Sequence, residues 1–554
     1  MIPLSLAQIA QITGGQLSGP PEALVTSVPP TSLRRAEQAL VTGASPPTSA
    51  QSGQALVTGA PPPTPAQIGQ ALVTGEVVID SRRAGPGGLF AALAGERSDG
   101  HDFAAAAVAA GAVAVLATRP VPAPSILVPD IPAALAALAK FVVGSLPALQ
   151  IAGITGSSGK TSTKDLIAQL AERLGPTVAP AGSYNNELGH PLTVLRADEA
   201  TRYLVLELSA RGPGHIAYLC DIAPPWYGAV LNVGHAHEGE FGGLDQIARA
   251  KGELVEALPA DGVAILNADD PRVLAMAART AARVVTFSCT PHTPRTAHAP
   301  QPTILATELR LDDLGRPSFT LLTPEGSAPV TLRLHGAHNV PNALAAAALA
   351  RELGLGLPGI ADGLSAAVAR SRWRMEVHRR ADGVTVINDA YNANPESLRA
   401  ALEALGHLAR DGRAFAVLGH MAELGDTSRA RHAEAGAFAA RVLGPTLAGL
   451  IAVGPEAAPL LDGARSVRSW PGEALGVPDG SAALAVLEDR LKPGDVVLVK
   501  ASRAVGLESV ADLLARGDVL ARGDDPPEPP AHGGALRPPV APRPPRTPRR
   551  EADR

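Results

Sequence analysis

Short apolar runs alternate with longer stretches of helical period through most of the 554-residue chain. Residues 150–154 read as a strand, and residues 161–174 carry apolar positions at the spacing of an amphipathic helix. Further strand candidates are 203–208, 228–233 and 262–267, followed by 384–388, 414–419, 450–453 and 495–500. Apolar strands that alternate with Ala/Leu-rich helices predict parallel sheets covered on both faces. Residues 303–334 break the rhythm, because alternating positions between turn residues predict a small antiparallel insert or edge. The predicted fold class is therefore α/β: two successive α/β units preceded by a smaller N-terminal one.

Two segments stand outside this alternation. Ala-Leu-Val-Thr recurs at Ala23, Ala39, Ala55 and Ala71, each copy sixteen residues after the last, with Pro, Ser, Thr, Ala and Gln between. Such spacers bury little apolar surface, so the repeat reads as a tandem duplication in a surface loop spanning about 23–75. From 523 to 554 the chain is Pro-rich with interspersed Arg, the composition of an extended, solvated tail. The boundaries that follow are 1–128, 129–374 and 375–522, with 523–554 as the tail.

Composition narrows the classes. Hydrophobic residues at 46% and charged residues at 18% suit a globular protein and exclude wholesale disorder. A net charge of -5 supplies no basic field, so nucleic acid is not an expected partner. Cys220 and Cys289 are too few for a disulfide framework. The first residues lack the positive region of a signal peptide, and the most apolar stretch, 103–117, is too short to span a bilayer. A cytoplasmic, multidomain protein without membrane insertion is expected.

The strongest chemical signal is Gly156-Ser157-Ser158-Gly159-Lys160-Thr161-Ser162, between the strand at 150–154 and the helix at 161–174. A glycine-rich turn there aims backbone N–H groups at phosphate oxygens, and the helix dipole adds to the attraction. Lys160 would neutralise the β- and γ-phosphates and the Thr161 hydroxyl would reach Mg²⁺. Ile154 stands where the common phosphate loop has its first glycine. Glu207 ends an apolar strand, placing a carboxylate at the edge where doubly wound sheets bind ligands. His237 follows the next strand and is singled out only by this company. Lys251, on a helix, reads by itself as a solvated lysine.

Further on, Asn339 and Asn342 open an Ala-rich helix, where they could cap it or hydrogen-bond an adenine edge. Arg372 and Arg374 flank Trp373 before the last unit, suited to a phosphate across a domain cleft. Asp389-Ala390-Tyr391-Asn392-Ala393-Asn394-Pro395 follows one strand of that unit, and Lys500-Ala501-Ser502-Arg503 follows another. So many polar strand-end loops suggest a second substrate.

In this order the motifs resemble those of the Mur ligase family, from Met1 to about Leu520 apart from the repeat and tail. Asp80-Ser81-Arg82, Asp99-Gly100-His101-Asp102-Phe103, Tyr184-Asn185-Asn186-Glu187, Ser371-Arg372-Trp373-Arg374 and Gly419 to Gly425 extend the likeness. Ser183 stands where relatives often have Asn. The resemblance implies a three-domain architecture: a small α/β domain for the UDP-sugar nucleotide, a central P-loop domain with a doubly wound parallel sheet, and a C-terminal Rossmann-like domain. It implies ATP and Mg²⁺ as cofactors, with two metal sites. Thr161, Glu207, His237 and a CO₂-modified Lys251 would serve the metals.

It further implies catalytic roles for Lys160, Glu207, His237, Lys251 and Arg374. The nucleotide would fall to the loop 156–162, Asn339, Asn342, Arg374 and Asp389. Ser81, Arg82, Asn185, Asn186, Tyr391, Asn392, Asn394, Lys500, Ser502 and Arg503 would hold the other substrates. The implied reaction joins D-alanyl-D-alanine to UDP-MurNAc-tripeptide through an acyl phosphate, by a monomer. Sister ligases that add a diamino acid, or a folylpolyglutamate synthase, are the alternatives. Diamino-acid ligases tend to carry Asp-Asn-Pro-Arg, whereas Glu396 follows Pro395 here.

Overall fold

In the N-terminal unit, β1 (Leu4–Ser5), β2 (Gln16–Ser18), β3 (Leu72–Val73), β4 (Val77–Val78), β5 (Leu89–Ala91), β6 (Ala114–Ala117) and β7 (Ser125–Leu127) form two sheets. β1 pairs antiparallel with β3, and the other five run β2-β7-β6-β5-β4 with only the β2 edge antiparallel. The computed structural model describes residues 1–19, 68–95, 98–235, 238–290 and 302–517.

The surface insertion expected over 23–75 ends sooner than the sequence suggests. The last Ala-Leu-Val-Thr copy contains β3 itself: Leu4 pairs with Val73, and the Leu6 amide donates to the Ala71 carbonyl at 2.9 Å. Period-two alternation turns Val73 fully inward and leaves Leu72 53% exposed. Because four copies are alike, nothing local marked this one as a strand. The copies beginning at Ala23, Ala39 and Ala55, the tail 523–554 and His237 lie outside the described residues.

The central unit comprises β8 (Gln150–Thr155), β9 (Thr177–Val178), β10 (Tyr203–Glu207), β11 (Tyr227–Val230), β12 (Val263–Asn267), β13 (Arg283–Ser288), β14 (Ile304–Leu311), β15 (Pro317–Thr323) and β16 (Gly326–Thr331). Their order is β16-β15-β14-β13-β12-β11-β8-β10-β9. The pairs β14–β15 and β15–β16 are antiparallel, as the alternation at 303–334 predicts, and the rest are parallel. β13 was not among the expected strands; it begins with two partly exposed residues, which blurs its apolar run. β10 and β11 flank β8, so the chain reverses its winding at β8 and leaves a crevice at its carboxyl end. The helix Asn339–Glu352 is apolar nearly all round and packs on the helix Lys160–Ala171, its alanines allowing close approach.

The C-terminal unit comprises β17 (Glu376–Arg379), β18 (Thr385–Asn388), β19 (Ala414–Leu418), β20 (Leu447–Val453), β21 (Glu473–Val477) and β22 (Val496–Lys500). They run β17-β18-β22-β19-β20-β21, antiparallel only at the β17 edge. Because β18, β22 and β19 are neighbours, the loops after Asn388, Leu418 and Lys500 emerge side by side.

β3 gives a direct test of where the repeat ends. Val73→Asp should cost more than about 3 kcal/mol, since it buries an unpaired charge, whereas Leu72→Asp should stay within about 0.5 kcal/mol. Chemical denaturation of the two variants measures the difference.

Candidate active site at the phosphate loop

β8 ends at Thr155, and Gly159 then adopts a left-handed conformation (φ 80°) that starts the helix Lys160–Ala171. A side chain at Gly159 would strike the Asn342 Oδ1 atom at 2.4 Å. The turn is also held from β11: the Ser158 amide donates to Asn232 Oδ1 at 2.9 Å, and Ser157 Oγ donates to the Gly234 carbonyl at 3.0 Å. Asn232 was missed in the sequence, where it has no motif spacing of its own.

Sheet register explains the next contacts. Glu207 sits opposite Ile154, which sets its carboxylate beside the loop. Glu207 Oε2 accepts from the Thr161 hydroxyl at 2.9 Å, and Oε1 accepts from Asn185 Nδ2 at 2.6 Å. The Thr161 hydroxyl also lies 2.8 Å from Ser183 Oγ, and Arg374 donates to both hydroxyl oxygens at 3.2 Å. Ser183 therefore makes the contact that opens its loop, although the position often carries Asn in the resembled family. Thr161, Ser183, Asn185, Glu207 and Arg374 form one polar cluster around the start of the helix.

Lys160 donates to the Gly156 carbonyl at 2.6 Å. Burial lowers its pKa, Glu207 and Glu423 oppose the shift, and Arg374 adds to it. Glu423 comes from the C-terminal unit with a left-handed backbone (φ 65°); it lies in the Gly419 to Gly425 segment that extends the family likeness, but the sequence assigned it no role of its own. Lys251 is not the solvated lysine its helix suggests: it is 3% exposed, and burial, with help from Lys160, drives its pKa well below the lysine range. The neutral amine this favours is the form that can take up CO₂. Thr161 and Glu207 offer hard oxygen donors of the kind Mg²⁺ accepts, so the residues present fit that ion.

A cavity of about 530 Å³ adjoins the loop, a size suited to a nucleotide. Ser158, Gly159, Ser162, Asn339, Asn342, Arg374 and Asp389 all line it. The asparagines do not cap their helix, whose N-cap His338 makes no side-chain capping bond. Asn342 instead donates to Asn339 at 3.2 Å, Asn339 donates to the His335 carbonyl at 2.8 Å, and both are buried against the phosphate loop. Arg374 Nε is buried with no hydrogen-bond partner among the described residues. Arg372 lies apart, paired with Asp512 and stacked on Trp373 at 5.0 Å.

The remaining expectations divide. Tyr391 stacks under Arg374 at 4.2 Å and so belongs to the site. Asn394 caps the following helix through Ser397 and also donates to the Ser157 carbonyl at 3.3 Å, joining the two units. Lys500 is buried against Asp389 at 2.5 Å and donates to the Asn392 carbonyl at 2.8 Å, so it braces the 389–395 loop rather than standing free. Burial lowers the Lys500 pKa, with Asp389 opposing. Ser502 accepts from the Ala422 amide, and Arg503 is stacked on Trp373 at 4.5 Å and paired with Glu508. Asn186 is spent on the Leu188 and Gly189 amides. Ser81 and Arg82 sit on a short turn after β4, outside the cavity lining, where Arg82 pairs with Asp80 at 2.7 Å.

Fold and site together define a P-loop nucleotide-dependent enzyme whose phosphate loop is completed by a second α/β unit. Comparison with known proteins gives three matches in chain order: the Mur ligase family, catalytic domain over residues 75–143, the Mur ligase middle domain over 154–350, and the Mur ligase, glutamate ligase domain over 373–503. The chain is 49% identical over 480 residues to the UDP-N-acetylmuramoyl-tripeptide–D-alanyl-D-alanine ligase of Mycobacterium tuberculosis, covering 80% of this chain and 92% of that protein. The enzyme of the same description from Escherichia coli is 37% identical, with 79% and 93% covered. Among solved structures, MurF from Acinetobacter baumannii aligns with a TM-score of 0.72 at 30% identity, covering 93% of this chain and 99% of that one. MurF ligase from Thermotoga maritima in complex with ADP aligns at 0.66 and 30% identity, with 80% and 97% covered. The chain belongs to the Mur ligase family.

Two outcomes test this site. Lys160→Ala should lower turnover by at least about a thousandfold while the unfolding midpoint stays put, because the lost charge serves the phosphates and not the core. His190, in the helix Gly189–Val194 behind the Asn185 loop, tests the packing. Burial pushes its pKa down to about 4, partly opposed by the Leu219 backbone. The unfolded chain then binds the extra proton first, so stability is full above pH 6.5 and falls by about 3 kcal/mol as pH drops towards 4. Denaturation across that window should show a steeper acid-side fall in wild type than in His190→Leu, the difference being the part due to His190.

Proposed function

We infer that the chain is an ATP-dependent ligase that joins D-alanyl-D-alanine to UDP-N-acetylmuramoyl-tripeptide, a step in building the peptidoglycan precursor. The observation that carries this reading is the 49% identity to enzymes of that description over 80% of the chain. The phosphate-loop cluster supplies the chemistry the reaction needs.

The tripeptide carboxylate takes the γ-phosphoryl group of ATP, giving an acyl phosphate and ADP. The dipeptide amine then attacks the acyl carbon and phosphate leaves. Lys160 and the loop amides hold the phosphate charge, and Arg374 approaches the same place from the linker to the C-terminal unit. Asn339, Asn342 and Asp389 wall the nucleotide cavity. Thr161 and Glu207 would hold Mg²⁺, which supplies further charge neutralisation when bound, and Lys251 as a carbamate would offer an oxygen ligand to a second ion. Asn185 keeps the Glu207 carboxylate oriented, and the Asn394 contact with Ser157 closes the C-terminal unit over the loop, excluding water from the acyl phosphate.

The N-terminal unit, with Ser81 and Arg82, is assigned to the UDP-sugar nucleotide. Tyr391, Asn392, Lys500, Ser502 and Arg503 shape the loops over which the dipeptide enters. No helix among the described residues is long and apolar enough to cross a membrane. A cytoplasmic monomer is part of the same proposal.

The test is product identification by mass. Protein, ATP, Mg²⁺, UDP-MurNAc-tripeptide and D-Ala-D-Ala should yield the pentapeptide with one phosphate per amide. Replacing the dipeptide by meso-diaminopimelate or lysine should yield no product; turnover with either would point to the sister activity.

A further inference from the structure

Glu396 opens the helix Pro395–Leu408 in the C-terminal unit, yet its carboxylate is spent on the central one. Glu396 Oε1 accepts from the His235 amide at 2.8 Å and lies 2.7 Å from His235 Nδ1, across 161 residues of sequence. The carboxylate also leaves no room at Gly234, where a Cβ would stand 2.6 Å from Glu396 Cδ. Gly234 is in turn bonded to the phosphate loop in both directions: its amide donates to Ser157 Oγ at 2.8 Å and its carbonyl accepts from it. Asn394, two residues before Glu396, reaches the Ser157 carbonyl directly. Two routes thus run from one helix start to one residue of the phosphate loop.

The energetics argue against a merely stabilising role. Glu396 Oε2 is buried without a hydrogen-bond partner among the described residues, and a half-satisfied carboxylate costs stability. A pair joining two units exists only while they are together, so its effect falls on that encounter.

We propose that Glu396 is a positioning residue, which through His235 and Gly234 sets the phosphate loop when the C-terminal unit closes and so couples phosphoryl transfer to a water-free site. The proposal rests on the ligase reading above. Without the latch, water attacks the acyl carbon in place of the amine, releasing phosphate and regenerating the tripeptide carboxylate.

The test measures phosphate release and amide formation together in the full chain. Wild type should give one phosphate per amide. Glu396→Ala should lower kcat for amide about tenfold and raise phosphate per amide above two, with KM for the UDP-substrate within twofold. Glu396→Gln keeps an acceptor for both His235 donors and should recover kcat to within threefold. His235→Ala combined with Glu396→Ala should be no worse than Glu396→Ala alone. Wild-type kcat and a ratio of one in Glu396→Ala would overturn the proposal. So would equal losses in the Ala and Gln variants at a ratio of one, since charge on the cavity wall would then be the cause. A wild type that makes no amide would instead overturn the ligase reading.

Discussion

An ammonium partly withdrawn from water needs anions near it, and Lys160 has arranged the site around that need. Desolvation lowers the pKa of the amine, and the opposing fields of Glu207 and Glu423 favour its charged form. One of these carboxylates ends a strand of the central sheet and the other comes from the C-terminal unit. Both units therefore supply charge that favours the ammonium, and the place where a triphosphate would sit is also where they meet.

The connection between them is built to deliver one side chain. Residues 368–371 are fastened along the helix Lys160–Ala171: Gln169 exchanges two hydrogen bonds with Val368, and Asp165 accepts from the Ser371 amide at 2.9 Å. Glu172 clasps Arg370. Beyond this fastening the backbone turns left-handed at Trp373 (φ 59°) and again at Met375 (φ 51°), costly conformations for residues with side chains. Arg374 lies between those two turns and is the residue that reaches Thr161 and Ser183. Strain in the linker is thus spent on aiming a guanidinium at the phosphate loop.

Much of the fold was legible because its signals are local. The strand at 150–154, the glycine turn and the following helix depend on neighbours in sequence, and the antiparallel insert at 303–334 declared itself by period two. β3 was not legible, since it lies in one of four alike copies of Ala-Leu-Val-Thr and its strand comes from pairing with the distant β1. The polar residues at strand ends were found in the right places but with mixed roles. Lys500 pairs with Asp389, Asn186 holds amides and Arg503 stacks on Trp373, because a side chain near a site first satisfies its own buried neighbours.

By itself the sequence determined the alternation of strands and helices, the phosphate-binding turn with Lys160, and the set of strand ends carrying chemistry, all consequences of short-range period and residue type. Only the tertiary structure decided which of those ends meet. Lys500 and Asp389 are 111 residues apart and His235 and Glu396 are 161 apart, so their contacts follow from strand order and from the packing of one unit on another. Burial did the rest: it turned Lys251 from an ordinary helical lysine into a desolvated amine, a change that no spacing in the chain records.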